Sequence, residues 1–166
     1  MTYLRRRFWR VAPAPAGPVP EWPGRTGQTS PATEGHVIDL KGTRGLVVGI
    51  ANRDSIGWGC AVAARAAGAG LAVTYLNEKA RPHLEPLADE LGAELFLPLD
   101  VEADGQTAAV FDEIAAKWGS LDFLVHSIAF APAADLHGRV VDCSLAGFQR
   151  AMHISCWSLI DMARRA

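Results

Sequence analysis

Arg44-Gly45-Leu46-Val47-Val48-Gly49-Ile50-Ala51-Asn52-Arg53-Asp54-Ser55-Ile56-Gly57-Trp58-Gly59 reads as a short apolar strand running straight into a glycine-bearing turn and then a helix. The strand is predicted over 44–49, with Leu46-Val47-Val48 at its centre, and is of the fully buried kind that parallel sheets use. Ser55 is placed to cap a helix reaching about residue 67, closed by Gly68 and Gly70. A pyrophosphate needs backbone N–H groups at a helix N-terminus and no side chains in its way, so the position suits a dinucleotide. The spacing departs from G-x-G-x-x-G, because Gly49 is followed by five residues before Ser55-Ile56. An ordinary strand-to-helix turn with glycines for close packing therefore stays open on these residues alone.

Working outward, 71–75 is predicted as a second strand. The segment 81–91 sets Leu84, Leu87, Ala88 and Leu91 on one face of an amphipathic helix ended by Gly92. A third strand is expected over 94–99. A third helix is expected over 104–118, with Ala108, Phe111, Ile114, Ala115 and Trp118 at helical spacing and Gly119 as its stop. A fourth strand follows over 121–127, then a Pro/Gly-bearing loop over 130–142. Ser144 can cap a last helix that runs to the final residue. Strands alternating with helices of this length imply right-handed crossovers, hence an α/β fold: a Rossmann-type parallel sheet with helices on both faces, incomplete at about four βα units. In such a sheet the fourth strand would present an unpaired, apolar edge. No internal repeat beyond the βα alternation is visible.

Residues 1–38 read differently. Six of the ten prolines and five arginines fall in 1–35 with no apolar periodicity, and such a segment is expected to be disordered. Its first ten residues are rich in arginine and poor in acids like a transit peptide, but they show no amphipathic face, so the stretch is read as a non-functional extension. The two domains expected are this Pro/Arg-rich extension and a nucleotide-binding domain over 39–166. The whole chain of 166 residues has a net charge of −2, which lacks the basic footprint of a nucleic-acid binder. Cys60, Cys143 and Cys156 are odd in number and widely spaced, which argues against a zinc site or a disulfide framework and for a reducing cytoplasm. No apolar run approaches the roughly 18 residues of a membrane span, so no membrane association is expected.

Gly49-Ile-Ala-Asn with Ser55-Ile56 and Gly59, Thr74-Tyr75-Leu76-Asn77, Leu99-Asp100-Val101, His126-Ser127-Ile128-Ala129-Phe130-Ala131-Pro132 and Asp135-Leu136-His137-Gly138 together resemble the bacterial NADH-dependent enoyl-acyl-carrier-protein reductases, a divergent branch of the short-chain dehydrogenase/reductases. The resemblance covers roughly 40–166. The long G-x5-S-I spacing and the Ser-Ile-Ala-Phe segment separate it from ordinary ketoreductases of that superfamily.

The resemblance implies a role for each matching position. Gly49 matches the first phosphate-loop glycine, and Ser55 and Ile56 the pair beside the pyrophosphate. Leu76 stands at the end of the second strand, where many NAD enzymes hold the ribose 2′-hydroxyl with an acid. It offers no cation for a 2′-phosphate, so NADH is the expected cofactor, although Arg53 or Lys79 could blur that choice. Asp100 and Val101 match residues that contact adenine, the carboxylate accepting from its amino group. Ile128 matches a residue near the nicotinamide-side ribose, and Ala131 one beside the acyl substrate. His126 and His137 have no partner in the pattern and receive no chemical role; a histidine on a buried strand is read as a satisfied core residue. No metal ligands are expected.

The family adds hydride to the β-carbon of a trans-2-enoyl thioester carried on acyl carrier protein, with a tyrosine polarising the thioester oxygen and a lysine holding the ribose, as a Tyr-x6-Lys motif. The only tyrosines here are Tyr3 and Tyr75, and neither begins that motif. The chain is therefore expected to be the cofactor-binding part of a longer homotetrameric enzyme, truncated before the catalytic residues and inactive alone. A non-catalytic dinucleotide-binding fragment, or another short-chain dehydrogenase/reductase, remains the alternative. His153 departs from the aspartate usual in the family at that place.

Overall fold

The computed structural model describes residues 38–166; the Pro/Arg-rich stretch before them, with its expected disorder, lies outside the described residues. Strands β1 (Arg44–Val48), β2 (Gly70–Tyr75), β3 (Leu95–Pro98) and β4 (Phe123–His126) alternate with helices α1 (Ile56–Ala66), α2 (Arg81–Leu91) and α3 (Gln106–Trp118). All pairings are parallel, in the order β3-β2-β1-β4. The chain thus builds outward from β1 to β3, then crosses back to lay β4 on the other side of β1. That reversal opens a crevice beyond the carboxyl ends of β1 and β4, the place where doubly wound sheets take ligands.

Alternation along the strands divides the core in two. Val47, Leu71, Val73 and Tyr75 face Trp58, Ala61 and Ala64 of α1 and Leu84, Leu87, Ala88 and Leu91 of α2. Leu46, Val48 and Ala72 face the opposite way, onto Val110, Phe111, Ile114 and Trp118 of α3 and onto Met162. Helices therefore cover both faces, as the βα alternation requires. β1 and β2 are buried almost throughout, which is why they read as continuous apolar runs.

The two outer strands are shorter than the sequence suggests. β3 ends at Pro98, which has no N–H to donate and is tolerated on an edge strand. The predicted flanks still bond: Glu94 N–H donates to the Leu71 carbonyl at 2.8 Å and Leu99 N–H to that of Tyr75 at 2.8 Å. β4 starts at Phe123 rather than 121, yet Asp122 N–H donates to the Arg44 carbonyl at 2.8 Å and Ser127 N–H to that of Val48 at 2.9 Å. Among the described strands β4 pairs only with β1, which makes it an edge.

The last helix differs most from the pattern. Ser144 caps it, accepting from Gly147 N–H at 2.9 Å, but α4 (Leu145–Met152) and α5 (Ser158–Arg165) are joined by a π-helical turn over His153–Trp157. Two serine hydroxyls account for the widening. Ser158 Oγ donates to the Ile154 carbonyl at 2.6 Å, competing with the backbone for that acceptor. Ser155 Oγ accepts from Phe130 N–H at 3.2 Å, tying the turn to the segment after β4.

Candidate functional site

The crevice is a cavity of about 490 Å³, within the usual range for small-molecule sites. Four stretches build it: Gly49, Ile50 and Ala51 after β1; Thr74 and Leu76 at the end of β2 with Ala80, His83 and Leu84 of α2; Leu99 after β3; and Ser127, Ile128 and Ala129 after β4.

Gly49 makes the crevice possible. Its φ is +91°, and a Cβ there would lie 2.1 Å from the Ser127 carbonyl oxygen, so only glycine lets the β1 turn press against the end of β4. Gly57 serves a related purpose: a Cβ on it would sit 3.3 Å from the Gly49 backbone, so α1 begins directly on the end of β1. Ser55 fixes that beginning. Its Oγ accepts from Trp58 N–H at 3.3 Å and from Ala51 N–H at 3.4 Å, and donates to the Asn52 carbonyl at 2.7 Å. The first N–H groups of α1, those of Ile56 and Gly57, have no acceptor within the helix, as at any helix start. They carry the positive end of its dipole.

The structure brings Gly49, Leu76 and Ile128 together on the cavity wall, and leaves Ser55, Ile56, Asp100, Val101 and Ala131 off it. Ser55 and Ile56 stand at the first turn of α1, with Ile56 four-fifths exposed. Asp100 is half-buried just after β3; its N–H donates to Gln106 Oε1 at 2.8 Å, and its Oδ1 accepts from Glu102 N–H at 2.9 Å. Val101 packs against the α3-side core. Ala131 is half-buried in the segment leading away from β4.

Sequence reasoning did not single out Thr74, Ala80, His83, Leu84, Leu99, Ser127 or Ala129 as site residues. The available signal was topological, since every one lies at the carboxyl end of a strand or at the start of α2. His83 is the one titratable side chain among the described residues lining the cavity.

The polar groups around the site are tied to one another. Arg53, in the β1–α1 turn, forms a two-armed pair with Glu90 of α2, one arm at 2.9 Å, and lies 5.3 Å over the Trp58 ring. This pair holds the Glu90 carboxyl below the usual carboxylate range and the guanidinium above its ordinary value. Both partners are about half exposed, so the pair adds little stability. Arg150 of α4 grips Glu102 at 2.8 and 2.7 Å and covers the Phe130 ring at 4.6 Å, linking the β3 and β4 exits. The hydrogen bonds from Arg150 hold Glu102 below its ordinary range, with a smaller contribution from the charge of His153.

His126 is satisfied structurally. Its Nε2 lies 2.7 Å from Ser158 Oγ. The single Ser158 proton already goes to the Ile154 carbonyl, so the imidazole is the donor and carries its proton on Nε2. Burial pushes its pKa below 6.5. Among the described residues no group of three or more His, Cys, Asp or Glu side chains converges as a metal site. No helix among them is long and apolar enough to cross a membrane.

The family described as Enoyl-(Acyl carrier protein) reductase matches residues 49–166. The NADH-dependent enoyl-acyl-carrier-protein reductase FabI of Rickettsia felis is 45% identical over 127 residues, covering 76% of this chain and 49% of that protein. Enoyl-acyl-carrier-protein reductase (NADH) 2 of Rhizobium meliloti is 44% identical over 76% of this chain and 47% of its own length. Among solved structures, the enoyl-acyl-carrier-protein reductase of Anaplasma phagocytophilum in complex with NAD superposes with a TM-score of 0.74 at 43% identity, over 76% of this chain and 48% of that one. The chain spans about half the length of the curated relatives it matches.

Proposed function

Because the chain belongs to the enoyl-(acyl carrier protein) reductase family, we propose that it supplies the NADH-binding part of an enzyme that reduces the trans-2 double bond of an enoyl thioester held on acyl carrier protein. The observation that carries this reading is the coincidence of the family match with a cavity at the topological switch point, walled by Gly49, Leu76 and Ile128.

The residues present fit the cofactor. The cavity has the volume for an adenosine, its wall is mostly apolar, and the Gly49–Ala51 stretch that lines it leads through Ser55 into the first turn of α1. NADH, when bound, supplies the hydride. Ile56 and Gly57 offer their N–H groups to the pyrophosphate, with Ser55 holding the turn that aims them. Gly49 keeps that turn against β4 without a side chain between them. Leu76 closes the ribose end with an apolar side chain, which disfavours a 2′-phosphate. By the family resemblance, Asp100 and Val101, just beyond the cavity wall, would take the adenine amino group and ring, Ile128 would border the second ribose, and Ala131 would border the acyl chain. Polarising the thioester oxygen and delivering the proton fall, on this reading, to a tyrosine and a lysine in the half of the family's length that these residues do not span. Tyr75 is unsuited: it is buried on β2 against Phe96, at 4.6 Å between ring centres, with its hydroxyl turned to Glu78 at 3.3 Å. A homotetramer in the cytoplasm is proposed for the family-length protein.

Titration of the chain with NADH, followed by ligand-observed NMR, tests the cofactor assignment. Saturable binding with a Kd no tighter than about 1 mM, near −4 kcal/mol, is expected for an adenosine half acting alone. Ala51→Trp, which places an indole at the exposed cavity wall, should abolish it. Absence of saturable binding, or binding indifferent to Ala51→Trp, would overturn the assignment. Turnover of a crotonyl thioester by the 166-residue chain itself would overturn the placement of the proton donor outside it.

A further inference from the structure

One side chain joins two strand exits around the crevice. Arg150, on α4, donates to both carboxylate oxygens of Glu102, at 2.8 and 2.7 Å, in the turn that follows β3. Its guanidinium also lies 4.6 Å over the Phe130 ring, in the segment that follows β4. Each partner is tied to a stretch already given a part in the site. Glu102 N–H donates to Asp100 Oδ1 at 2.9 Å, and Asp100 N–H donates to Gln106 Oε1 at 2.8 Å, so Glu102 and the start of α3 are both anchored on Asp100. Phe130 directly follows Ser127, Ile128 and Ala129 of the cavity wall, and its N–H donates to Ser155 Oγ at 3.2 Å. Further along the loop, Asp135 Oδ1 accepts from Ser144 N–H at 2.6 Å, which fastens it to the start of α4.

We propose that Arg150 is a positioning residue, which clamps Phe130 to the Glu102 turn so that a nucleotide on the adenine side of the crevice orders the segment on its acyl side. The proposal rests on the reading of the cavity as the adenosine site, and adds to it a connection between the two ends of the crevice.

The geometry suits a local clamp rather than a brace for the whole domain. Arg150 and Glu102 are about half and a third exposed, and an ion pair so placed adds little to global stability. Both arms of the fork are engaged, however, which fixes the plane of the guanidinium as well as its position and leaves it able to stack on an aromatic ring. The Phe130 ring is 41% exposed, so Arg150 above the ring and Ser155 on the backbone, rather than burial in a core, hold that residue in place. Neither Arg150 nor Glu102 belongs to either core cluster, so loss of the clamp should leave both cores intact. A ligand orders a segment only if it binds the ordered state better. The adenine contact assigned to Asp100 supplies that difference, because the same carboxylate holds the Glu102 N–H.

Amide hydrogen exchange followed by NMR tests this on the full chain and on its Arg150→Ala, Arg150→Lys and Glu102→Gln variants, with and without adenosine 5′-diphosphate. Without nucleotide, the Phe130 N–H should exchange about threefold faster in Arg150→Ala than in the parent, the size of an exposed contact between a cation and an aromatic ring. Arg150→Lys and Glu102→Gln, which keep one part of the clamp each, should fall between them, and the amides of β1 and β2 should not change. Saturating nucleotide can act through Arg150 by no more than that contact is worth, so it should slow Phe130 exchange about threefold in the parent and far less in Arg150→Ala. By linkage, the nucleotide should bind Arg150→Ala more weakly by up to the same factor. Equal Phe130 exchange in the parent and Arg150→Ala, or a change shared by the β1 and β2 amides, overturns the positioning role. A nucleotide effect on Phe130 that is equal in the two overturns the connection while the cavity reading stands. No saturable binding of the nucleotide overturns the cavity reading and the connection together.

Discussion

Replacing Gly49 with alanine should destabilise the domain through two separable effects. Gly49 sits at φ +91°, a conformation that disfavours an L side chain by about 1–2 kcal/mol. Its added Cβ would also lie 2.1 Å from the Ser127 carbonyl oxygen and 2.4 Å from its carbon, so backbone must move apart at the junction of β1 and β4. Overpacking of this kind costs about 1–3 kcal/mol, giving a total of about 2–5 kcal/mol. Gly42→Ala isolates the first effect, because Gly42 has φ +79° and a Cβ there would meet nothing within 4 Å. Any stabilisation from restricting the unfolded chain is common to the two variants and cancels. Urea unfolding followed by tryptophan fluorescence, with Trp58 and Trp118 buried as reporters, measures both at a common m-value. Gly49→Ala should be the less stable by at least about 1 kcal/mol, the lower end of the overpacking range. Equal losses would refute the claim that close approach to β4, rather than turn conformation alone, requires glycine at this position.

Ser55→Ala removes the acceptor for Trp58 N–H and should lower stability by about 1 kcal/mol; it should also weaken NADH binding severalfold, and unchanged affinity in the same titration would mean the cap does not aim the helix start. Because burial lowers the pKa of His126 below its ordinary 6.5, the unfolded chain binds more protons in that window, so stability is full above pH 6.5 and is lost as pH falls below it. His126→Gln should flatten this acid limb in urea midpoints recorded across the window, and a limb of unchanged slope would show another group to be responsible. In a family-length protein carrying these residues, kcat/KM at pH 8 should strongly favour NADH over NADPH with a crotonyl thioester, and comparable values would contradict the role given to Leu76.

Residues with strong local signals were legible in the sequence. The runs Leu46-Val47-Val48 and 71–75 announce buried strands because both faces are covered by helices. Leu84, Leu87, Ala88 and Leu91 mark the inward face of α2, and Ser55, Ser144, Gly92 and Gly119 mark helix ends through backbone chemistry that is local to each turn. The family could be named from the sequence for the same reason: Gly49, Ser55-Ile56 and the Ser127-Ile128-Ala129-Phe130 segment lie in short contiguous motifs.

The tertiary structure decided what depends on residues far apart in the chain. The π-turn over His153–Trp157 follows from serine hydroxyls that engage Phe130, Ile154 and His126, and no periodicity in the helix itself signals it. The steric demand at Gly49 comes from Ser127, the residue just after β4, three strands later in the chain, so the sequence displays a glycine there but not the carbonyl it must clear. Arg53 reads as a free cation beside the turn until α2 brings Glu90 to it. His83 reads as one polar residue on an amphipathic helix until β2 and α2 fold it onto the cavity wall beside Leu76. Local backbone preferences and side-chain periodicity are written in neighbouring residues. Which side chain meets which across the crevice is fixed only when the crossover to β4 closes it.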